Sequence, residues 1–473
     1  MGKHIGKSIK RVEDPRFIQG QGKYVANIKL PDMAHIAVLR SPHAHAKINS
    51  ISTDAAKALD GVIDVFVGQD LIDGGVGKMP VIWQVPDNKI PDRWPLVLDK
   101  VRHVGDSVAA VVAEDPYIAR DALDLIDVDY EVLDASIGAK ATTEDGKPLV
   151  HDDIENNISF KWGLGDREAC DKAFEEAEHV VKLDLINQRL IANAMEPRAC
   201  AAQWIASTEN MTVWTTSQNP HIIRFGLSAV TLPMLDEHKL RVISPDVGGG
   251  FGSKIFHYPE EVIVPWIAKK INRPCKWVAT RSESFMTDSQ GRDHVQNCKL
   301  ALKNDGTITG LYVELHADMG AYLSSIAPLI PTVICITLFS GLYKNPGIWG
   351  ETTGTLTNTV PVDAYRGAGR PEASYLLERI IDVAAKELDI DPIEIRRINF
   401  IGKDEFPYQT PVAFLYDSGD YHAMFDKLEE IADYRGMRAA QASAKEDGRL
   451  VGIGVGGSVE ASGYGPAATV GAL

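Results

Sequence analysis

Residues 244–254 read Ser244-Pro245-Asp246-Val247-Gly248-Gly249-Gly250-Phe251-Gly252-Ser253-Lys254, and Leu240-Arg241-Val242-Ile243 just before them reads as a strand. A helix is expected to open at Pro259, with Glu260 and Glu261 in its first turn, where the positive end of the helix dipole favours acids. Strand, glycine turn and helix in that order form the repeating unit of an α/β fold. Four glycines in five positions give up backbone entropy, about 0.5–1 kcal/mol each relative to alanine, which a fold tolerates where backbone must approach something closely. Phe251, at the centre of the run, has no use in a flexible linker. Exposed N–H groups in such a nest suit an anionic or oxygen-rich ligand, the alternative being a tight turn that holds nothing.

Spacing excludes two familiar glycine motifs. A phosphate loop requires Gly-Lys-Ser/Thr, whereas Ser253 separates Gly252 from Lys254. A dinucleotide fingerprint requires Gly-x-Gly-x-x-Gly, and residues 248–252 lack the third glycine.

At 473 residues, 45% hydrophobic and 24% charged, the chain is long enough for two or three cores. A net charge of −16 argues against nucleic acid or an anionic membrane as partner, because phosphate binding needs a basic surface. The five cysteines (Cys170, Cys200, Cys275, Cys298 and Cys335) are scattered without a Cys-x-x-Cys pair. That spacing excludes an iron–sulfur or zinc cluster built from this chain and suggests reduced thiols in the cytoplasm. The most apolar stretch, 326–339, is too short to span a bilayer and holds Pro328 and Pro331; no secretory signal is visible after Met1.

Short strands at 36–39, 62–67, 107–113 and 127–132 and a helix over 115–126, opened by Asp115-Pro116, predict a compact α/β unit over 1–135. A linker at 136–154 follows, then a larger α/β region over 155–435. That region is expected to hold a helix near 167–178, strands near 180–185, 211–215 and 276–279, and its best amphipathic helix over 372–388. Asp391 and Glu394 read as a capping box. Residues 451–455 read as a buried strand inside a last segment, 436–473.

Two further segments set a polar residue among glycine or proline. Thr215-Thr216-Ser217-Gln218-Asn219-Pro220 follows a strand, and the Gln218 carboxamide can donate to an oxygen ligand or simply face water. Asp363-Ala364-Tyr365-Arg366-Gly367-Ala368-Gly369-Arg370-Pro371-Glu372 is a second glycine loop at the start of the best helix, where backbone donors and arginine suit an anion. Arg370 can equally serve as scaffold.

With Ser8-Ile9-Lys10-Arg11-Val12-Glu13-Asp14-Pro15, Leu39-Arg40-Ser41-Pro42-His43-Ala44-His45-Ala46, Val104-Gly105-Asp106-Ser107-Val108-Ala109 and Met195-Glu196-Pro197-Arg198, these segments recur in one order over nearly the whole chain. The chain resembles the large, molybdenum-cofactor-binding subunit of the xanthine dehydrogenase family, which includes aldehyde oxidases and aerobic carbon monoxide dehydrogenase. The resemblance implies an α/β (α+β) protein: an N-terminal α/β hammerhead domain, then the first part of a cofactor-binding region of mixed sheets and helices. It implies hydroxylation at carbon with water as the oxygen source. The cofactor would be molybdopterin, as such or as its cytosine dinucleotide. Electrons would leave through 2Fe-2S and FAD centres on a small and a medium partner subunit.

Carried over by motif, Gln218 matches the family glutamine at an oxygen ligand of molybdenum. Gly249, Gly250, Phe251 and Gly252 match the loop beside the metal, and Ala364, Tyr365, Arg366 and Gly367 the loop that meets the cofactor. No side chain of this chain is expected to ligate the metal directly. His43 and His45 are read as structural. Ile255 stands where purine hydroxylases have glutamate, and Ile334 where they have a substrate arginine. With Ala368 these make an apolar pocket edge suited to an aldehyde or an N-heteroaromatic compound. Gly367 stands where copper-dependent carbon monoxide dehydrogenases carry cysteine. The family's second cofactor-binding half, with its general-base glutamate, has no counterpart here. The expectation is therefore that a separate chain supplies that half, or that this chain is a non-catalytic scaffold.

Overall fold

A computed structural model describes residues 4–460. The chain divides into two compact units, each discontinuous in sequence. The first combines residues up to Pro80 with Asp92–Asp134 and Ala192–Asp288; the second combines Val81–Pro91, Ala135–Ile191 and the residues from Ser289 onward.

The first unit is built on a seven-stranded mixed sheet. Its order is Leu240–Ile243, Asn210–Thr215, Ala199–Ile205, Cys275–Val278, Ala34–Arg40, Ser107–Ala113 and Val62–Val67. Strands from the first 135 residues thus share a sheet with strands some 200 residues later, joined by parallel pairing of Ala34 with Cys275 through Ile36 with Trp277. Ser107–Ala113 is buried at every position, so it reads as a continuous small-apolar run without alternation. A three-stranded antiparallel sheet of Lys100–Val101, Ala46–Ser52 and Asp127–Val132 belongs to the same unit.

The helix Glu260–Lys270 is buried from Glu260 through Ala268, and Ile263, Ile267 and Trp266 pack in one core with Trp277 and Phe66. Its first turn carries a cluster of buried ion pairs. Glu260, 1% exposed, accepts hydrogen bonds from Arg198 at 2.6 Å and from Arg40. Arg40 also binds Glu283 at 2.6 Å, and Arg198 binds Asp288 at 2.6 Å while lying 3.7 Å from the Tyr258 ring centroid. Burial alone would push the Glu260 carboxyl up, but the two guanidinium groups hold it well below the ordinary carboxylate range. Glu261 accepts from the Thr215 hydroxyl at 2.6 Å and from the Tyr258 N–H at 2.9 Å, which ties the end of one strand to the segment that opens the helix.

The second unit holds a five-stranded sheet in the order Ile158–Gly165, Gly347–Thr355, Ile308–Asp318, His294–Leu302 and His179–Asn187. The helix Arg370–Glu387 contributes Leu376, Leu377, Ile380, Ile381 and Ala384 to the same core. The apolar stretch 326–339 folds into short 3-10 and π turns inside that core. No helix among the described residues is long and apolar enough to cross a membrane.

Several expectations are corrected. Residues 451–460 form no strand: Ile453, Val455 and Val459 pack on the core at alternate positions, and the Gly457 N–H donates to Glu378 at 3.1 Å. The period of two is real, but its backbone meets a helix side chain in place of a strand edge. The helix after Asp115 breaks into Pro116–Asp121 and a 3-10 turn, Ala122–Leu125, and the helix from Arg167 ends at Glu175. Asp391 caps the Ile393 N–H at 2.8 Å, while Glu394 faces solvent and completes no box.

Breaking the Arg198–Glu260 pair leaves a buried charge uncompensated. Arg198→Met should lower the unfolding free energy by about 3–5 kcal/mol at pH 7, measured by urea titration. Because the folded-state pKa of Glu260 is depressed, its contribution is present above the unfolded pKa of about 4.3 and is lost as pH falls below it. The variant's deficit should therefore shrink in acid; an equal deficit at pH 3.5 and pH 7 would contradict this account.

Candidate functional site

The strand Asn210–Thr215 runs through Thr216, Ser217 and Gln218 into the helix Pro220–Gly226, capped by the Asn219 side chain. The Gln218 N–H donates to the Lys254 carbonyl at 2.8 Å. Its side-chain Oε1 accepts from the Gly252 N–H at 3.0 Å and from the Lys254 N–H at 3.4 Å. Both partners are donors, so the carboxamide oxygen must face them and the NH2 group turns the other way. Gln218 is exposed, and its Nε2 has no protein partner among the described residues. Glycine at 250 permits this contact, since a Cβ there would stand 2.3 Å from Oε1.

Phe251 has a left-handed φ of 55°, and its ring, 44% exposed, lies beside Gly249. A bulky non-glycine residue held at positive φ with its ring in solvent is costly twice over, a combination that marks sites of contact.

Lys254 turns away from the loop's open side. It is buried, donates to the Glu196 carbonyl at 2.8 Å and lies 3.3 Å from Glu196 Oε2. The same Oε2 accepts from the Gly248 N–H at 2.6 Å, and the Glu196 N–H donates to the Gly248 carbonyl at 3.1 Å. Burial pulls the Lys254 ammonium down in pKa against the opposing pull of Glu196. The lysine is thus a clasp on the glycine loop. Glu196 lies in the segment Met195-Glu196-Pro197-Arg198, and no local sequence pattern signals this pairing. Ile255 follows, half-buried.

The second unit carries the other loop, between the buried Asp363 and the helix Arg370–Glu387. Asp363 accepts from the Ile326 N–H at 3.1 Å and the Ala364 N–H at 2.7 Å, and burial pushes its carboxyl up to about 7. Ala364 is buried and Tyr365 half-buried. Arg366 is exposed, and its guanidinium has no partner among the described residues. Gly367 adopts φ 91°, and a Cβ there would stand 2.7 Å from Pro371, so this backbone refuses a side chain. Ala368 donates to the Tyr365 carbonyl at 2.7 Å and adopts φ 25°. Ile334 lies beside Gly369. Arg370 pairs with Glu460 at 2.7 Å and donates to the Gly367 carbonyl at 3.2 Å, the scaffold role of the two open to it. Arg292, which no motif singled out, binds the carbonyls of Tyr365 and Arg366.

The structure therefore brings Gln218, Gly249, Gly250, Phe251, Gly252 and Ile255 together on the first unit, and Ile334, Ala364, Tyr365, Arg366, Gly367 and Ala368 on the second. His43 and His45 lie within the first unit: His45 Nδ1 is 2.8 Å from the Asp134 carbonyl, and His43 packs on Tyr130.

Residues 19–134 match the aldehyde oxidase and xanthine dehydrogenase a/b hammerhead domain, and residues 150–400 the molybdopterin cofactor-binding domain. The carbon monoxide dehydrogenase large chain of Hydrogenophaga pseudoflava is 36% identical over 471 residues, covering 96% of this chain and 58% of that one. The nicotinate dehydrogenase large molybdopterin subunit of Eubacterium barkeri is 31% identical over 397 residues, covering 84% of this chain and 89% of that one. The crystal structure of quinoline 2-oxidoreductase from Pseudomonas putida 86 superposes with a TM-score of 0.90 at 33% identity, over 95% of this chain and 56% of that one. The chain spans just under three fifths of the carbon monoxide dehydrogenase large chains it matches.

Gly250→Ala should displace the Gln218 carboxamide from the loop amides and lower the unfolding free energy by about 1–3 kcal/mol through overpacking. A crystal structure of the variant with Gln218 in its original place would refute the close-approach argument.

Proposed function

The chain belongs to the aldehyde oxidase and xanthine dehydrogenase family of molybdenum hydroxylase large subunits, and from that premise we propose that it forms one wall of a molybdenum-cofactor site. The observation that carries the reading is the Gln218 carboxamide, whose oxygen is consumed by the loop amides while its NH2 group is left exposed. Such a donor fits an oxygen-rich group, and the absence of a Cβ at 250 keeps it in place. On the second unit the Arg366 guanidinium, without a partner among the described residues, fits an anionic part of a molybdenum cofactor, whether molybdopterin itself or its cytosine dinucleotide. When bound, the cofactor supplies the two-electron redox chemistry that hydroxylates carbon with oxygen from water.

The chain's own residues bind and orient. Gln218 donates from Nε2, residues 249–252 bring backbone close, and the Phe251 ring excludes water beside it. On the second unit Ala364, Tyr365, Arg366 and Gly367 hold the cofactor from their loop and Ile334 and Ala368 offer an apolar edge to substrate; on the first unit Ile255 offers another. An aldehyde or N-heteroaromatic substrate suits that edge better than a purine, which would need the two polar anchors that Ile255 and Ile334 replace. Copper-assisted oxidation of carbon monoxide is disfavoured, despite the overall similarity, because position 367 combines φ 91° with no room for a thiol.

The general-base glutamate, the 2Fe-2S and FAD centres, and the second cofactor-binding half are assigned to partner chains. The near-complete span of the Eubacterium barkeri subunit supports dividing the site in this way. A cytoplasmic location is supported by five buried free cysteines. A non-catalytic scaffold that binds the cofactor only together with a partner chain is the second reading.

The test is molybdenum content and turnover of the chain co-expressed with its partner subunits. Gln218→Ala and Arg366→Ala are each expected to lower metal retention or turnover about tenfold, as loss of a hydrogen bond to a charged group does. Wild-type values in both would reject the site. Metal bound without turnover in the assembled complex would favour the scaffold.

A further inference from the structure

A loop that receives an anion must present N–H groups and cations, yet every peptide unit also carries a carbonyl that repels it. Those carbonyls have to be satisfied from behind. In the loop after Asp363 the satisfying group is Arg292, which donates from Nη1 to the Tyr365 carbonyl at 3.1 Å and from Nη2 to the Arg366 carbonyl at 2.5 Å. We propose that Arg292 is a positioning residue: by gathering two successive carbonyls it leaves the N–H groups of Arg366 and Gly367 and the Arg366 guanidinium for the cofactor. The inference rests on reading this loop as a cofactor contact.

Four observations support it. The Arg366 and Gly367 N–H groups have no protein acceptor among the described residues, whereas both carbonyls on the Arg292 side are bonded. Arg292 is 5% exposed, and its charge is balanced from the other side by Glu372, fully buried, at 3.3 Å. Its guanidinium also lies 4.9 Å from the Tyr365 ring centroid, which fixes the residue preceding Arg366.

The local backbone is bent to place it. Arg292 and Asp293 both adopt φ 67°, a left-handed conformation unusual for two successive non-glycine residues, just before the strand His294–Leu302. Asp293 is anchored there by Arg189, and Gly291 passes so close to the loop that a Cβ would stand 2.4 Å from Tyr365 Cβ. The preceding residue pairs with the loop's start: the Gln290 N–H donates to the Pro361 carbonyl at 3.0 Å and the Asp363 N–H to the Gln290 carbonyl at 2.8 Å. Only arginine offers a planar fork able to reach two carbonyls and a carboxylate at once.

The experiment compares Arg292→Gln, Arg292→Lys and Arg366→Ala in the assembled complex, reading molybdenum and pterin per chain, thermal midpoint, and circular dichroism. Arg292→Gln should lose about tenfold in cofactor retention, and Arg292→Lys, which keeps the charge opposite Glu372 but reaches one carbonyl at most, an intermediate amount at an unchanged melting temperature. Loss of cofactor without loss of stability in Arg292→Lys is the signature that a merely structural arginine would not give. Full retention in Arg292→Lys or Arg292→Gln, with loss in Arg366→Ala, overturns the positioning role and leaves the loop's assignment standing. Full retention in all three overturns the assignment of the loop itself. If Arg292→Gln proves insoluble, the lysine variant decides alone.

Discussion

The segments that flank Gln218 and the glycine loop on the first unit meet around one buried carboxylate. Glu260 lies between Arg198 and Arg40, and through them reaches Asp288 and Glu283. Desolvating so many charges is tolerable only because each finds an opposite partner at hydrogen-bonding distance. The arrangement locks the first turn of a buried helix to strands from both ends of the unit. The neighbouring Glu261 then fixes Thr215, three residues before Gln218. Arg198 lies two residues from Glu196, which clasps Gly248 and Lys254. The geometry around Gln218 therefore descends from ion pairs that never touch a ligand.

The two glycine loops satisfy their acceptors with different chemistry. Each buried or loop acceptor must find a donor within the protein or in water. Around Gln218 the acceptor is a side-chain oxygen and the loop's own amides consume it. Around Arg366 the acceptors are backbone carbonyls, and a buried arginine from a distant segment consumes them. Lysine at the end of the first loop looks like the anion-binding cation of its sequence, but its ammonium finds better partners inside, on Glu196. Of the two loops' cations, Arg366 on the second is the one without a protein partner among the described residues.

Much of the fold was legible where local pattern decides. Leu240–Ile243, Val62–Val67 and Ser107–Ala113 occupy the expected positions because each is short, rich in Val, Ile or Ala and broken by at most one charged residue. The helix Arg370–Glu387 appears within two residues of its expected start, since its apolar stripe is long. Ala46–Ser52 escaped notice because four of its seven residues are Lys, Asn or Ser, as befits a strand with most positions half or fully exposed. The strand expected over 451–455 is absent for the opposite reason: an apolar alternation reports only that one face is buried, and here the burying surface is a core that includes a helix.

The sequence by itself determined the residue types of the candidate site: glycine at 250 and 367, an amide at 218, a cation at 366, and apolar side chains at 255 and 334. These are properties of single residues and of spacings within a dozen positions. Only tertiary structure decided which side of the Gln218 carboxamide is spent, that Lys254 turns inward, that Arg292 stands behind Arg366, and that Ala34–Arg40 pairs with Cys275–Val278. Each of those is a hydrogen bond or register between residues tens to hundreds of positions apart. Local propensity carries no information about such partners; they are chosen when packing brings two segments within reach and every buried polar group must find a mate.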